Sequence, residues 1–423
     1  MNRFPVLSLA SKSLRSRRWT ALLTILSIAT AAALFVAVEN IRQASRDSFE
    51  RTISGTDLIV GARSSAINLV LYSVFQIGNA TNNVSWKTYE EIRDRKDVAW
   101  TVPISLGDSH RGYRVIGTTH DYFEHYRYAD AQALRLEHGA LFDDLFDIVI
   151  GAQVARDLNY SVGTTLTLSH GTGGASFTEH ADKPFVVTGV LEPTGTPVDR
   201  SMLVSLPAIE AIHVVWQNGA PTPLSRVASA ERVRKMALQP SDITAIYLGA
   251  TSRIRTLRLQ RDLNDYRAEA LQAVIPGVAL SELWRMMSVA ERALAIISGF
   301  VVFVGLVGIL TSILTSLNER RREMAILRSV GARSRHIVLL LVSEAALLAF
   351  LGATLGLVLL YSASWSLKAL LESRFNLSAL ALAPGWFDLA VVAGITLAAA
   401  LFGLAPALLA LRRSLADGMT IRV

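Results

Sequence analysis

Histidine is the side chain here best suited to soft-metal chemistry, and seven of the eight fall in one stretch: His110, His120, His125, His138, His170, His180 and His213. Imidazole suits zinc and copper, and with no cysteine in the chain a soft-metal site would have to be built from it. His170 and His180 lie in loop composition, HGTGGASFTEHADK, and are the two that a metal would reach most easily. The spacing of the seven matches no standard ligand pattern, so they read as structural or surface histidines and no bound metal is expected. HGTGG has the composition of an oxyanion-hole loop, but no GxSxG nucleophile elbow accompanies it, which leaves a turn. No catalytic constellation emerges, and that argues against a membrane-anchored enzyme. GxxxxGK followed by Ser or Thr is also missing, so nothing in these residues cradles a nucleotide phosphate in the usual way.

Other positions stand out because apolar runs surround them. An ionised Glu344 at the centre of a membrane helix would cost about 2.5–3.5 kcal/mol on insertion scales, and less near the interface. It should therefore face protein, either as a polar contact linking the membrane helices to their cytoplasmic ends or as a side chain snorkelling to the inner surface. Gly352 and Gly356 form a GxxxG pair that lets a second helix approach closely. Pro406 lacks a donor and should kink its helix or loosen the last turns. A structural kink is the preferred reading, with a hinge as the alternative.

The elements that carry these residues follow from composition. With 51% hydrophobic and 18% charged residues in 423 and a mean hydropathy of +0.36, the chain is part membrane and part aqueous. A bilayer core about 30 Å thick needs roughly 20 apolar residues in a helix. Residues 19–41, 286–317, 337–367 and 389–411 meet that requirement. The first is too long for the h-region of a cleaved signal peptide, which runs to about 15 residues. The net charge of +7 concentrates beside these runs, at Arg15, Arg17 and Arg18, at Arg320, Arg321 and Arg322, and at Arg412 and Arg413. That placement is topological and does not describe a nucleic-acid face.

Positive residues mark the cytoplasmic side. Residues 1–18, an amphipathic segment at the lipid interface, 318–336 and 412–423 then lie inside, and 42–285 and the short 368–388 lie outside. The fold class is an α+β membrane protein: four transmembrane helices with a large mixed α/β extracytoplasmic domain between the first two. Helical spacing in IRQASRDSFERTI and SELWRMMSVAERAL carries the flanking helices beyond the bilayer as stalks. Between them, 57–60, 98–106, 113–118, 148–151 and 243–248 read as strands, and 86–95 and 253–273 as helices. A β-rich insert is expected near 140–210.

The connection SLNERRREMAILRSVGARSRHI, residues 316–337, carries the most specific signal. It resembles the segment joining the second and third membrane helices in permeases of the MacB, LolC/LolE and FtsX group. RSRRWTALLTILSIATAAAL at 15–34, FGLAPALLALRR at 402–413 and VIGAQVARDLNYSVGTTLTLS at 149–169 are similar to the same group.

The resemblance implies a permease subunit of an ATP-binding-cassette (ABC) transporter in the bacterial inner membrane, with a large periplasmic domain. It makes Glu319, Arg320, Arg321, Arg322, Glu323, Met324, Leu327 and Arg328 a coupling helix, with Met324 and Leu327 as apolar anchors in an ABC ATPase. ATP and Mg would then sit on that partner, with no cofactor bound directly. It further implies a second permease copy, identical or not, and leaves room for a periplasmic or lipoprotein partner. The work done would be extraction of a lipoprotein or lipid, or efflux. MacB itself differs in having a fused ATPase, and FtsX in having a much smaller outside domain. The competing function is an extracytoplasmic ligand sensor that signals through a cytoplasmic partner, although few residues follow the last span to carry an output.

Overall fold

The computed structural model describes residues 18–170, 183–214, 216–217, 220–221, 230–236, 238–319, 326, 328–366 and 384–412. They divide into two compact units. One takes the residues up to Ala44 and those from Ser288 onward, and the other is Ser45–Met287.

The first unit is built from four long helices, α1 (Arg18–Glu50), α2 (Pro276–Glu319), α3 (Ser334–Ser366) and α4 (Trp386–Arg412). Within them Arg18–Ala44, Pro276–Thr315, Ser334–Ser366 and Trp386–Leu409 are long and apolar enough to cross a membrane. Hydroxyls in these helices donate to the carbonyl four residues back, as Thr311, Thr354 and Thr396 do, so they add no unsatisfied polar group to an apolar surrounding. The core where the helices meet is made of Ile28, Ala32, Ile309, Leu341, Ala399 and a row of small residues on α3, Ala345, Ala349 and Ala353. Large apolar side chains such as Leu23, Phe300 and Leu397 are turned outward instead.

The second unit is a mixed α/β domain on one eleven-stranded sheet. Its strands are β1 (Leu58–Ala62), β2 (Val98–His110), β3 (Tyr113–Thr118), β4 (Leu136–Gly139), β5 (Asp147–Ile150), β6 (Thr165–Leu166), β7 (Ser169–His170), β8 (Phe185–Leu191), β9 (Ser201–Ser205), β10 (Ala245–Ala250) and β11 (Leu271–Val274). The order is β11-β1-β10-β2-β3-β9-β5-β8-β4, with β7 beside β2 and β6 beside β8. The first part of β2 pairs antiparallel with β10, Ile246 opposite Pro103, and its later part with β3, Leu106 opposite Ile116. One strand thus serves two lobes. β9 runs parallel to β3 and β8 parallel to β5, while the remaining neighbours are antiparallel.

Alternation along the strands explains how the sheet is covered, because successive side chains point to opposite faces. Ile59, Val149, Leu203 and Tyr247 share one cluster that runs under both lobes and includes the helix Ala66–Ser73. On the other face Leu58, Val60, Ile246 and Leu248 pack with helices Trp86–Arg93 and Arg253–Asn264. Ile148, Ile150, Met202 and Val204 pack with Ala152–Leu158 and Leu206–His213. Ser65 and Ser85 cap their helices by accepting the N–H of Asn68 and Thr88.

The helix expected over 253–273 stops at Asn264, and 271–274 form β11 instead. Leu, Gln and Ala suit a helix locally, but pairing with β1 buries Leu271 and Ala273 completely. The Asn264 side chain closes the turn, accepting from the Ala273 N–H at 2.8 Å. Tertiary burial outweighs local preference here.

Candidate functional site

Helix α3 is where the polar and small residues of the helical unit converge. A Cβ built on Gly356 would lie 2.3 Å from the Ala29 carbonyl oxygen of α1, and one on Gly352 2.7 Å from Ile28 Cβ. The two helices therefore touch backbone to backbone along this pair, which only glycine permits. On the same helix Glu344 is 4% exposed, beside Leu341 and Ala345 in the apolar core. Gly403 of α4 approaches this turn, with a built Cβ 2.9 Å from Ala345 Cβ. Pro406 follows one turn later inside α4, which continues to Arg412.

A second polar group lies where α1 approaches the end of its apolar run. Tyr361 Oη donates to Asp388 Oδ2 at 2.6 Å, and Asn40 Nδ2 donates to Tyr361 Oη at 3.3 Å. The Gly385 N–H donates to the same carboxylate oxygen at 2.8 Å, so Asp388 also caps the start of α4. Asp388 and Asn40 are both buried. One turn on, Arg42 holds Glu39 at 2.7 Å on its own helix and reaches Glu291 of α2 at 3.5 Å. Phe35 and Phe387 stack with ring centroids 6.2 Å apart. Polar contacts thus join α1 to α2 and α3 in this zone and α3 to α4, and the stacked rings join α1 to α4, whereas small-residue packing holds the middle.

Sequence reasoning missed Asn40, Tyr361 and Asp388, and placed Asp388 in the outer loop. The available signal was local: an acid three residues after Gly385 at the head of an apolar run has the spacing of a helix cap.

The connecting segment is described in part. Helix α2 reaches Glu319 in its backbone; Arg320, Arg321, Arg322, Glu323, Met324 and Leu327 lie outside the described residues. Arg328 is half-buried, and Gly331 takes a φ of +99° before α3 begins at Ser334. Ile326 and Val330 are exposed, at 55% and 83%.

Two of the histidines are occupied structurally. His110 is buried, with Nδ1 against the Thr167 carbonyl at 2.5 Å and Nε2 against Tyr160 Oη at 2.9 Å. His120 Nε2 meets the Phe142 carbonyl at 2.8 Å. The His170 side chain and His180 lie outside the described residues. Asp121, Glu124 and His125 bring ligand-type atoms within 4.8 Å of one another on the surface. His125 is stacked there on Trp100, with centroids 4.7 Å apart.

Residues 20–265 match the model of the MacB-like periplasmic core domain, and 295–415 that of the FtsX-like permease C-terminal region. A macrolide export ATP-binding/permease protein MacB from Bordetella avium is 26% identical over 59% of this chain and 35% of its own length. A pyoverdine export ATP-binding/permease protein PvdT from Pseudomonas syringae pv. tomato is 28% identical over 53% of this chain and 31% of its own. The chain therefore spans about a third of the length of these relatives. The crystal structure of the periplasmic region of MacB from Actinobacillus actinomycetemcomitans aligns with 55% of this chain and 94% of that one. Its TM-score is 0.33 at 12% identity.

Proposed function

Because the chain belongs to the MacB-like, FtsX-like family of ABC-transporter permeases, we propose that it turns ATP hydrolysis by a separate ATPase into movement of its periplasmic domain. It is a multi-pass protein of the bacterial inner membrane, and the α/β domain is its periplasmic part. The observation that carries the reading is the continuity of the two flanking helices: α1 and α2 run unbroken through the points where the two units divide, at Ala44 and Ser288. Displacement of either span is then passed along a helix. The relatives are named as ATP-binding/permease proteins, and these 423 residues hold no phosphate-binding loop. On this reading ATP and Mg sit on the partner, and the segment around Met324 and Leu327 docks against it.

The bundle core is apolar and closely packed, which favours work on a periplasmic or lipid-borne cargo over passage of a hydrophilic solute. Extraction of a lipoprotein or lipid and efflux of a molecule gathered in the periplasm both fit, with two permease copies sharing the load. The test is affinity purification from the native host, wild type against a variant carrying Met324→Glu and Leu327→Glu. The ATPase should accompany the wild type in near-equal amount and be lost from the variant. Retention by the variant overturns the docking role, and a kinase in place of an ATPase replaces the transporter with a sensor.

A further inference from the structure

The periplasmic domain contains a cavity of about 360 Å³ that none of the foregoing uses. Its walls come from three connections: the segment after helix Ala66–Ser73, the β2–β3 hairpin, and the turn Pro197–Arg200. Arg114 and Arg200 supply the charge, Phe75, Ile77 and Pro197 an apolar side, and Gln76 a polar edge. Ser201 lies opposite Arg114 in the β9–β3 register, which sets the two guanidinium-bearing segments side by side.

Both arginines lack an anionic partner among the described residues. Arg114 is half-buried, and desolvation holds its pKa below the ordinary value. Its Nη2 donates to neutral acceptors only, the Gly78 carbonyl and Asn79 Oδ1. Nε and Nη1 have no protein acceptor there, although a guanidinium presents five donors in a fixed fork. Arg200 is held over the Tyr113 ring at 5.7 Å. The acid beside it in sequence, Asp199, is turned into the domain, where it accepts from the Thr194 N–H, the Thr194 hydroxyl and the Gly195 N–H at 2.7–2.8 Å.

Removing a guanidinium from water without a counter-charge is costly unless an anion repays it. The wall is also held in a form the chain would not adopt freely. Gln76 has a φ of +60°, and its side chain is fastened across the cavity edge to the Pro197 carbonyl and Ser201 Oγ. Strain of this kind in a non-glycine residue is characteristic of ligand clamps.

We propose that this cavity binds the oxyanion of a small, partly apolar periplasmic ligand, Arg114 and Arg200 gripping a carboxylate or phosphate while Phe75, Ile77 and Pro197 cover its apolar part. A planar fork facing an unpaired oxyanion is the pairing for which arginine is best suited. The assignment does not depend on what the membrane part transports.

The experiment uses the full chain in phosphatidylcholine nanodiscs with radiolabelled hexanoate, read by scintillation proximity, and with inorganic phosphate and neutral hexanol as competitors. Hexanoate should bind saturably, hexanol should fail to displace it, and Arg114→Gln and Arg200→Gln should each weaken it at least about tenfold. Arg114 also steadies residues 78 and 79; the exposed Arg200 provides a variant that leaves the fold alone. Displacement by phosphate identifies a phosphate-type ligand, and its failure a carboxylate. No saturable hexanoate or phosphate binding, binding unchanged by Arg200→Gln, or equal displacement by hexanol would overturn the site.

Discussion

Phe185 and Phe300 are the same residue in two opposite situations. Phe185, on β8, is fully buried against Phe146, with ring centroids 5.4 Å apart, whereas Phe300, on α2, is 65% exposed. In the periplasmic domain large branched and aromatic side chains fill both faces of the sheet, and the apolar area removed from water stabilises the fold. In the membrane unit many large side chains, Phe300 among them, face outward to where lipid lies, and alanine, glycine and a few polar groups share the interior with residues such as Ile28, Ile309 and Leu341. Lipid tails are as apolar as leucine, so hydrophobicity there no longer distinguishes inside from outside. Close approach and hydrogen bonds do so instead.

Four substitutions probe that contrast. Phe185→Ala should cost about 3–5 kcal/mol in denaturant unfolding of the periplasmic domain, while Phe300→Ala in its bilayer setting should shift stability by no more than about 0.5 kcal/mol. A similar loss at both positions would erase the distinction. Gly356→Val should lower stability by about 3 kcal/mol in thermal unfolding of the reconstituted chain, because a backbone carbonyl cannot give way as a side chain can. Tyr361→Phe removes the hydroxyl that Asp388 accepts and should cost about 1.5 kcal/mol in the same assay.

A small, pH-dependent effect belongs to a surface pair. Arg234 bonds Asp144 at 2.6 Å and holds that carboxyl below its ordinary pKa, while both side chains stay nearly half exposed. A depressed folded-state pKa contributes stability above the unfolded value of about 3.9, and loses it as the pH falls through the folded value. Arg234→Gln should therefore flatten the acid limb of the stability profile below about pH 4, by under about 1 kcal/mol.

The same contrast explains what could be read from sequence. Apolar runs longer than a bilayer stand out in any window, so the four spans and their division from the α/β region were legible. The GxxxG spacing on α3 was legible too, but not that it meets Ala29 of α1, a partner far away in sequence. Asn40 and Tyr361 share a hydrogen bond across 321 positions, and no local pattern announces it. In the sheet, β1 lies between β10 and β11, whose residues come about two hundred positions later. Residues 271–273 read as helix from sequence because the partner that makes them a strand is invisible locally. The Arg114 cavity draws on three separate segments, and each arginine by itself looks like an ordinary surface charge.

Strand β2 sets a limit on how this domain can be taken apart. Its residues up to Ile104 complete one lobe and those from Ser105 complete the other, with the ladder irregular between Leu106 and Ser109. A cut anywhere along Val98–His110 deprives one lobe or the other of a central strand. Modular exchange of a single lobe with a relative, whether by recombination or by design, would have to carry the whole strand and both of its ladders.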